Sequence, residues 1–553
     1  MMLKDKLAKL LEGALSGARQ KGLIPQVALP EVNLEHPQNP EHGDYASPIA
    51  LKLGRSAGLD PYKIAQNLVS LLPSLEEIEE TWVAPPGFIN FKLKKSWLAE
   101  QVEEILRLGE HYGDLDLGKG KRVQVEFVSV NPTGPLHVGH GRGAVLGSTL
   151  SNILQACGFE VEREYYINDA GNQILTFSRS LYSRYQQALG LPAELPPEAY
   201  QGGYLLELAQ EIARERGDAL LKTHPDEALD QIGQLGVQRF LELIKRDLEL
   251  LGVRFDNWFS EKSLYESGLF ERVMNLLMEE GWVEEKDGTL WFTSTELGED
   301  RDAVLVRSNE MPTYFASDIA YHYNKFLERG FDQVIDIWGA DHQGHVPRMK
   351  AAVRALGIAP ERLKVIISQM VNLRRGEEEV KVSKRMGEFV TLRELVEEVG
   401  VDACRFFFLS RSADSQMDFD LELAKRQAPE NPVYYVQYAH ARIAGILRLA
   451  RGRKIDYRRG DTSYLKEEAE FALISELFLF PEVIELAAMN LEPHHLPHYA
   501  QELATTFHNF YERCRVVSQD EALTWARLKL VEATRIVLSK LLKLMGITAP
   551  EQM

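Results

Sequence analysis

Two histidines three positions apart, His137 and His140, stand at the end of a turn-rich segment, Asn131-Pro132-Thr133-Gly134-Pro135-Leu136-His137-Val138-Gly139-His140. Far downstream, Lys381 and Lys384 flank Ser383 in a short polar stretch. Histidine donates hydrogen bonds to phosphoryl oxygens, and lysine is a flexible point charge suited to the same anions. The run Val123–Val130 is β-branched and roughly alternating, so it reads as a strand. Pro132, Gly134 and Pro135 then punctuate a loop, and a small-residue helix follows through Gly141, Gly143, Ala144, Leu146 and Ile153. Strand, tight turn and helix start is the arrangement that aims backbone N–H groups at phosphate. Gly139, without a β-carbon, leaves room for a flat base against the backbone. Each segment alone also has a plainer reading: a capped helix start with two surface histidines, and a solvated lysine-rich loop.

The elements needed to hold these residues can be read along the chain. The sequence of 553 residues calls for several domains, and 45% hydrophobic content is enough for sizeable cores. Residues 1–115 read as a mixed α+β unit that opens with an amphipathic helix (Leu3, Leu7, Leu10, Leu11, Leu15) and later has a strand at Gly87–Leu93. Residues 116–425 read as an α/β unit, with further strands at Gln333–Trp338 and Leu363–Ile367 separated by helices. That alternation implies a Rossmann-like, mostly parallel sheet with ligands at the strands' carboxyl ends. Within this unit, residues 174–258 read as a helical insertion with Leu205, Leu206, Leu208, Ala209 and Ile212 on one face. Residues 426–553 are helical in pattern, with spans at Val436–Leu449, Ala469–Ala488 and Leu528–Met545, and imply an all-α bundle.

The formal net charge of −19, from 63 basic and 82 acidic residues, argues against a generic nucleic-acid coat protein. A local strip, Arg448, Arg451, Arg453, Lys454, Arg458 and Arg459, reads either as a phosphate contact or as a solvated helix end. Cys157, Cys404 and Cys514 are scattered and suggest neither a disulfide framework nor a zinc site, which fits a reducing cytoplasm. No apolar run approaches the roughly twenty residues that span a bilayer. Pro493 and Pro497 break helical spacing around His494, His495 and His498, so no metal site is expected there.

The two opening segments resemble the paired ATP-binding signatures of class I aminoacyl-tRNA synthetases. Further stretches resemble the bacterial arginyl-tRNA synthetases over nearly the whole chain. Among them are His42–Ala46, Gly87–Phe91, Tyr165–Gln173, Tyr314–Ala320, Gly339–Gly344, Phe389–Leu392 and Pro432–Arg442. The resemblance implies ATP-dependent ligation of arginine to tRNA(Arg) through an arginyl-adenylate. ATP would arrive with Mg2+ as substrate and with no protein-bound metal, in a cytoplasmic monomer.

By the same resemblance, His137, His140, Lys381 and Lys384 are catalytic. Pro132, Gly134, Gly139, Gly339, Asp341, His342 and Ser383 join them around ATP. Arginine falls to Glu126, Ser129, Asn131, His137, Tyr314, Asp318 and Gln343. Tyr314 and Asp318 are four apart, which a helix places on one face, although Asp318 alone also reads as an ordinary surface acid. The tRNA falls to Phe88 and Asn90 in the N-terminal unit and to Tyr435, Ala439, Tyr511 and Met553 in the helical one. Phe507 and Phe510 read as core. The signature departs from the class pattern at Val382 and Arg385, Glu388 has no physical account, and Asn309-Glu310 replaces an Asp-Gly turn before Pro312. The alternative function is a tRNA-independent nucleotidyltransferase that shares the HxGH segment.

Overall fold

The computed structural model describes residues 2–376, 378–380 and 390–553. They fall into two compact units. One comprises Met1–Tyr112, Arg442–Glu482 and Thr505–Val537; the other comprises Gly113–Ala441, Val483–Ala504 and Leu538–Met553.

The larger unit is built on a five-stranded parallel sheet: β1 (Arg122–Glu126), β2 (Glu160–Ile167), β3 (Asn257–Ser260), β4 (Gln333–Gly339) and β5 (Leu363–Ser368). The spatial order is β5-β4-β1-β2-β3. Val123 of the central strand lies opposite Val161 on one side and Gln333 on the other. Strand order reverses at β1, so a crevice opens at the carboxyl ends of β1 and β4. The sequence pattern carries the first strand to Val130, but pairing stops at Glu126. Val128 (φ 69°) and Ser129 (φ 41°) instead adopt left-handed backbone, which a β-branched residue rarely tolerates. Tyr165 Oη donates to Val130 O at 2.9 Å and Tyr166 N donates to Ser129 Oγ at 3.1 Å, which holds this turn at the crevice.

Helix α1 (Val138–Ala156) follows, and glycine lets it lie on the sheet. A β-carbon at Gly147 would sit 2.2 Å from the Phe127 ring, and one at Gly141 2.6 Å from Leu392 Cδ1. Between β2 and β3 come α2 (Asn172–Ala188), α3 (Gly203–Arg216) and α4 (Pro225–Leu250). As the periodicity predicts, Leu205, Leu208, Ala209 and Ile212 are buried, and they join Phe177, Leu181 and Tyr185 in a core of their own. Leu206 is half-buried. A three-stranded antiparallel sheet (Val283–Lys286, Thr289–Phe292, Ala303–Val306) then leads to α5 (Tyr314–Tyr323), which runs into a π-helical turn, Asn324–Glu328. In the intervening turn Glu310 has φ 62°, the left-handed position that the absent glycine would suit better.

In the smaller unit, the helix Leu3–Gln20 buries Leu3, Leu7, Leu11 and Leu15, with Leu10 half-buried. A three-stranded antiparallel sheet has the order Tyr45–Ser47, Phe88–Leu93, Ile78–Ala84. Phe507 and Phe510 are core residues, with no exposed surface. The helical pattern of the C-terminal region is realised as Pro432–Gly452, Glu468–Asn490, His495–Arg513 and Glu521–Met545.

Candidate functional site

A cleft of about 710 Å³ opens at the carboxyl ends of β1 and β4. Its walls gather Glu126, Ser129, Asn131, Gly134, His137, His140, Tyr314, Asp318, Gly339, Asp341 and His342, residues scattered over more than two hundred positions. They come from the end of β1 and the turn after it, the start of α1, the first turns of α5, the end of β4 and the 3-10 turn Ala340–His345 that follows.

The histidines are held by main-chain N–H groups. His137 caps α1, its Nδ1 accepting from Gly139 N at 3.1 Å, while His140 Nδ1 accepts from His137 N at 3.2 Å. With Nδ1 accepting in both rings, the neutral imidazoles carry their proton on Nε2. The rings stack with centroids 3.4 Å apart. Burial lowers the pKa of His137, and burial together with its neighbour pushes His140 down to about 3. Both are thus neutral hydrogen-bond donors at neutral pH, not cations. A β-carbon at Gly139 would lie 3.1 Å from His137 Cε1, so glycine there also accommodates the folded-back ring.

Lys381, Ser383 and Lys384, with Val382, Arg385 and Glu388, lie outside the described residues. The chain just beyond them is anchored at the cleft. Thr391 pairs with His137 in an isolated antiparallel bridge, and Leu392 N donates to Leu136 O at 2.8 Å. The start of α1 is secured from below by Arg142, which has no exposed surface. Its guanidinium donates to three main-chain oxygens, those of Gln369, Ser415 and Ser412, at 2.9, 2.8 and 2.7 Å. Burial lowers its pKa to about 10, so it remains charged at neutral pH.

The other pole of the cleft is acidic. Glu126 is buried and Asp318 half-buried beside Tyr166, Tyr321 and Phe315, and desolvation raises the pKa of both carboxyls, that of Asp318 well above its ordinary value. Tyr314, about half exposed, stands one turn from Asp318. A guanidinium fork needs such acceptors around a dry cavity.

Three expectations meet a different placement. Gln343 is exposed and does not line the cleft: in a turn of three residues per revolution, Asp341, His342 and His345 take the inward side. Pro132 is buried behind the wall. Ala439 is wholly buried on the inner face of its helix, so it offers no surface to a base. Asn90 is also buried, and its Oδ1 has no partner; Phe88 beside it is half-buried. Tyr435 is half-buried, while Tyr511 and Met553 are exposed, with the Arg442 guanidinium 4.6 Å from the Tyr511 ring centroid. Pro493 does not keep the nearby histidines apart, for ligand atoms of Glu492, His494 and His495 lie within 4.8 Å of one another.

Sequence reasoning missed Asn168, Gln173, Tyr204, Trp338 and His345 on the cleft wall. The oxygens Asn168 Oδ1 and Gln173 Oε1 are buried without a partner, a state that favours a polar ligand. The stretch Tyr165–Gln173 contained both amides, but nothing in its pattern aimed them at the cleft.

Comparison with known proteins gives a consistent set of relatives. Residues 101–408 match the family described as tRNA synthetases class I (R), catalytic domain. Residues 3–93 match the arginyl tRNA synthetase N terminal domain, and residues 436–553 the DALR anticodon binding domain. The arginine–tRNA ligase of Dehalococcoides mccartyi is 55% identical over 553 residues, covering 100% of this chain and 99% of that protein. That of Carboxydothermus hydrogenoformans is 52% identical over 523 residues, 94% of each chain. The solved arginyl-tRNA synthetase of Thermus thermophilus superposes with a TM-score of 0.80 at 25% identity, covering 100% of both chains.

Proposed function

The chain belongs to the arginyl-tRNA synthetases, and from that premise we propose how its cleft divides the work of an ATP-dependent arginine–tRNA ligase. ATP, arginine and tRNA(Arg) are the substrates of the reaction. The first step is attack by the arginine carboxylate on the α-phosphorus of ATP, with pyrophosphate leaving. No side-chain nucleophile is required; positioning and charge stabilisation suffice. His137 and His140 serve as Nε2–H donors to the phosphates, and Lys381 and Lys384 meet the leaving pyrophosphate. Gly134, Gly139, Gly339, Asp341, His342 and Ser383 border the nucleotide. Asp318 and Tyr314 take the guanidinium side of arginine, with Glu126, Ser129 and Asn131 completing its pocket.

The observation that carries this reading is the meeting of paired neutral imidazoles and the carboxyls of Glu126 and Asp318, both raised in pKa, in one cleft. Mg2+ is assigned to the ATP phosphates. Besides the buried Glu126 and Asp336 and the half-buried Asp318, Asp341 is the one carboxylate lining the cleft among the described residues, too few for a dedicated cage. Tyr435, Tyr511 and Met553 are assigned to contacts with the tRNA, as are Phe88 and Asn90. We assign the working boundaries to residues 1–115, 116–425 and 426–553, in a cytoplasmic monomer. No helix among the described residues is long and apolar enough to cross a membrane. A nucleotidyltransferase that acts without tRNA is not favoured, since it leaves residues 3–93 and 436–553 without a use.

A charging screen of all twenty amino acids with total tRNA tests the reading, paired with pyrophosphate exchange in the presence and absence of tRNA. Arginine alone is expected to be charged, with exchange only when tRNA is present. Charging of another amino acid refutes the pocket assignment, and equal exchange in both tubes refutes the tRNA requirement.

A further inference from the structure

Behind the acidic pole of the cleft lies a lysine that the proposed mechanism does not use. Lys325 has no exposed surface and sits in the π-helical turn Asn324–Glu328 that continues α5. Its Nζ donates to Glu126 Oε2 at 2.5 Å and to Asp336 Oδ1 at 2.9 Å. The Tyr321 ring centroid lies 4.2 Å away on a further side. The ammonium is therefore enclosed by these groups, and Lys325 is not part of the cleft wall, whereas Glu126 and Asp336 are. It meets both carboxylates from the protein side.

The neighbourhood explains why a cation is needed. Glu126, Asp318 and Asp336 all line the cleft, and Glu261 is buried nearby with its Oε2 unpartnered. Carboxyls gathered in this way do not all ionise without compensation. Asp336 is further met by His322, whose Nε2 lies 3.0 Å from Asp336 Oδ2 while its Nδ1 lies 2.7 Å from the Asp318 carbonyl oxygen.

We propose that Lys325 is a positioning residue for arginine recognition: its buried ammonium fixes Glu126 and offsets the Glu126–Asp336 pair, leaving Asp318 as the carboxyl that answers the substrate's guanidinium. The inference rests on the assignment of this pole to arginine. Without the ammonium, Glu126 takes up a proton or turns away, and the pocket loses acceptors on the arginine side alone. The nucleotide side, built on α1 and the turn after β4, keeps its geometry.

The test is steady-state aminoacylation by the full chain, varying arginine and ATP separately, with rates referred to the folded fraction. For Lys325→Met the KM for arginine is expected to rise about tenfold or more, with the KM for ATP within about twofold of the parent. Lys325→Arg, which keeps the charge, is expected to recover most of that loss. An unchanged arginine KM in Lys325→Met, or a parallel rise in both KM values, overturns the proposal, because a purely structural lysine would lower the folded fraction without separating the two substrates. Where Lys325→Met does not fold, Asp336→Asn decides in its place: it removes the lysine's second anchor and is expected to raise the arginine KM several-fold with that for ATP unchanged, whereas no such split overturns the proposal. Asp318→Asn separates the two levels of inference. If it leaves the arginine KM unaltered, the pocket assignment itself fails; if it raises that KM while the Lys325 variant does not, only the role of Lys325 fails.

Discussion

At the residue scale, the chemistry of His140 follows from where its proton sits. An imidazole whose Nδ1 accepts a backbone N–H and whose pKa is held near 3 works as a fixed neutral dipole. Replacing it with alanine removes one donor to the developing phosphate charge, and kcat is expected to fall by about 10²–10³. Asparagine, which keeps a neutral donor, should retain more activity than alanine. The same depression links the ring to stability. The unfolded chain binds a proton on this ring below about pH 6.5, whereas the fold resists it until about pH 3. The contribution is therefore complete above about pH 6.5 and is lost as the pH falls toward 3. Denaturant unfolding between these limits should show a flatter acid slope for His140→Asn than for the parent. An identical slope would place the pKa depression elsewhere. The two histidines were legible from their spacing, but their tautomer was not, because it depends on which backbone N–H each ring meets.

At the element scale, the position of α1 is set by contacts too close for any side chain. Gly147 faces Phe127, itself fully buried, and a methyl group there has no room. Gly147→Ala is expected to destabilise the unit by about 1–3 kcal/mol, read as a lower denaturant midpoint at unchanged slope. A midpoint equal to the parent's would mean that the helix can shift on the sheet. Periodicity found β4, β5, the insertion core and the C-terminal helices, since each buries a face of regular spacing. It overran β1, because Phe127 and Val128 continue the β-branched and aromatic pattern while the backbone turns left-handed. Lys325 illustrates a related limit. It follows Tyr321 by four positions and Asp318 by seven, so helical spacing already placed all three on one face. A lysine in an acidic chain nevertheless reads as a surface charge until the burial is seen.

At the scale of the whole molecule, an acidic protein must bind a polyanion. Arg451, Arg453, Lys454, Arg458 and Arg459 are exposed, and Arg453, Lys454 and Arg459 border a cavity of about 510 Å³ with Trp525. If this strip touches the tRNA backbone, an Arg453→Glu, Lys454→Glu double variant should raise the KM for tRNA about tenfold in low salt and flatten its salt dependence by roughly two charges. The KM values for arginine and ATP should stay put. A tRNA KM that follows the parent's at every salt concentration would assign the strip to solvent. The charge run itself was plain in the sequence. Its exposure was not, since a helix end and a buried turn share the same letters.

Arg142 carries one more implication. Its three hydrogen-bond acceptors are main-chain oxygens, which every amino acid provides. Inheritance of this junction thus falls on a single codon: positions 369, 412 and 415 are free to drift in kind so long as their backbone path is kept, while position 142 is not. A survey of natural variants should find the guanidinium retained across partners whose own identities wander.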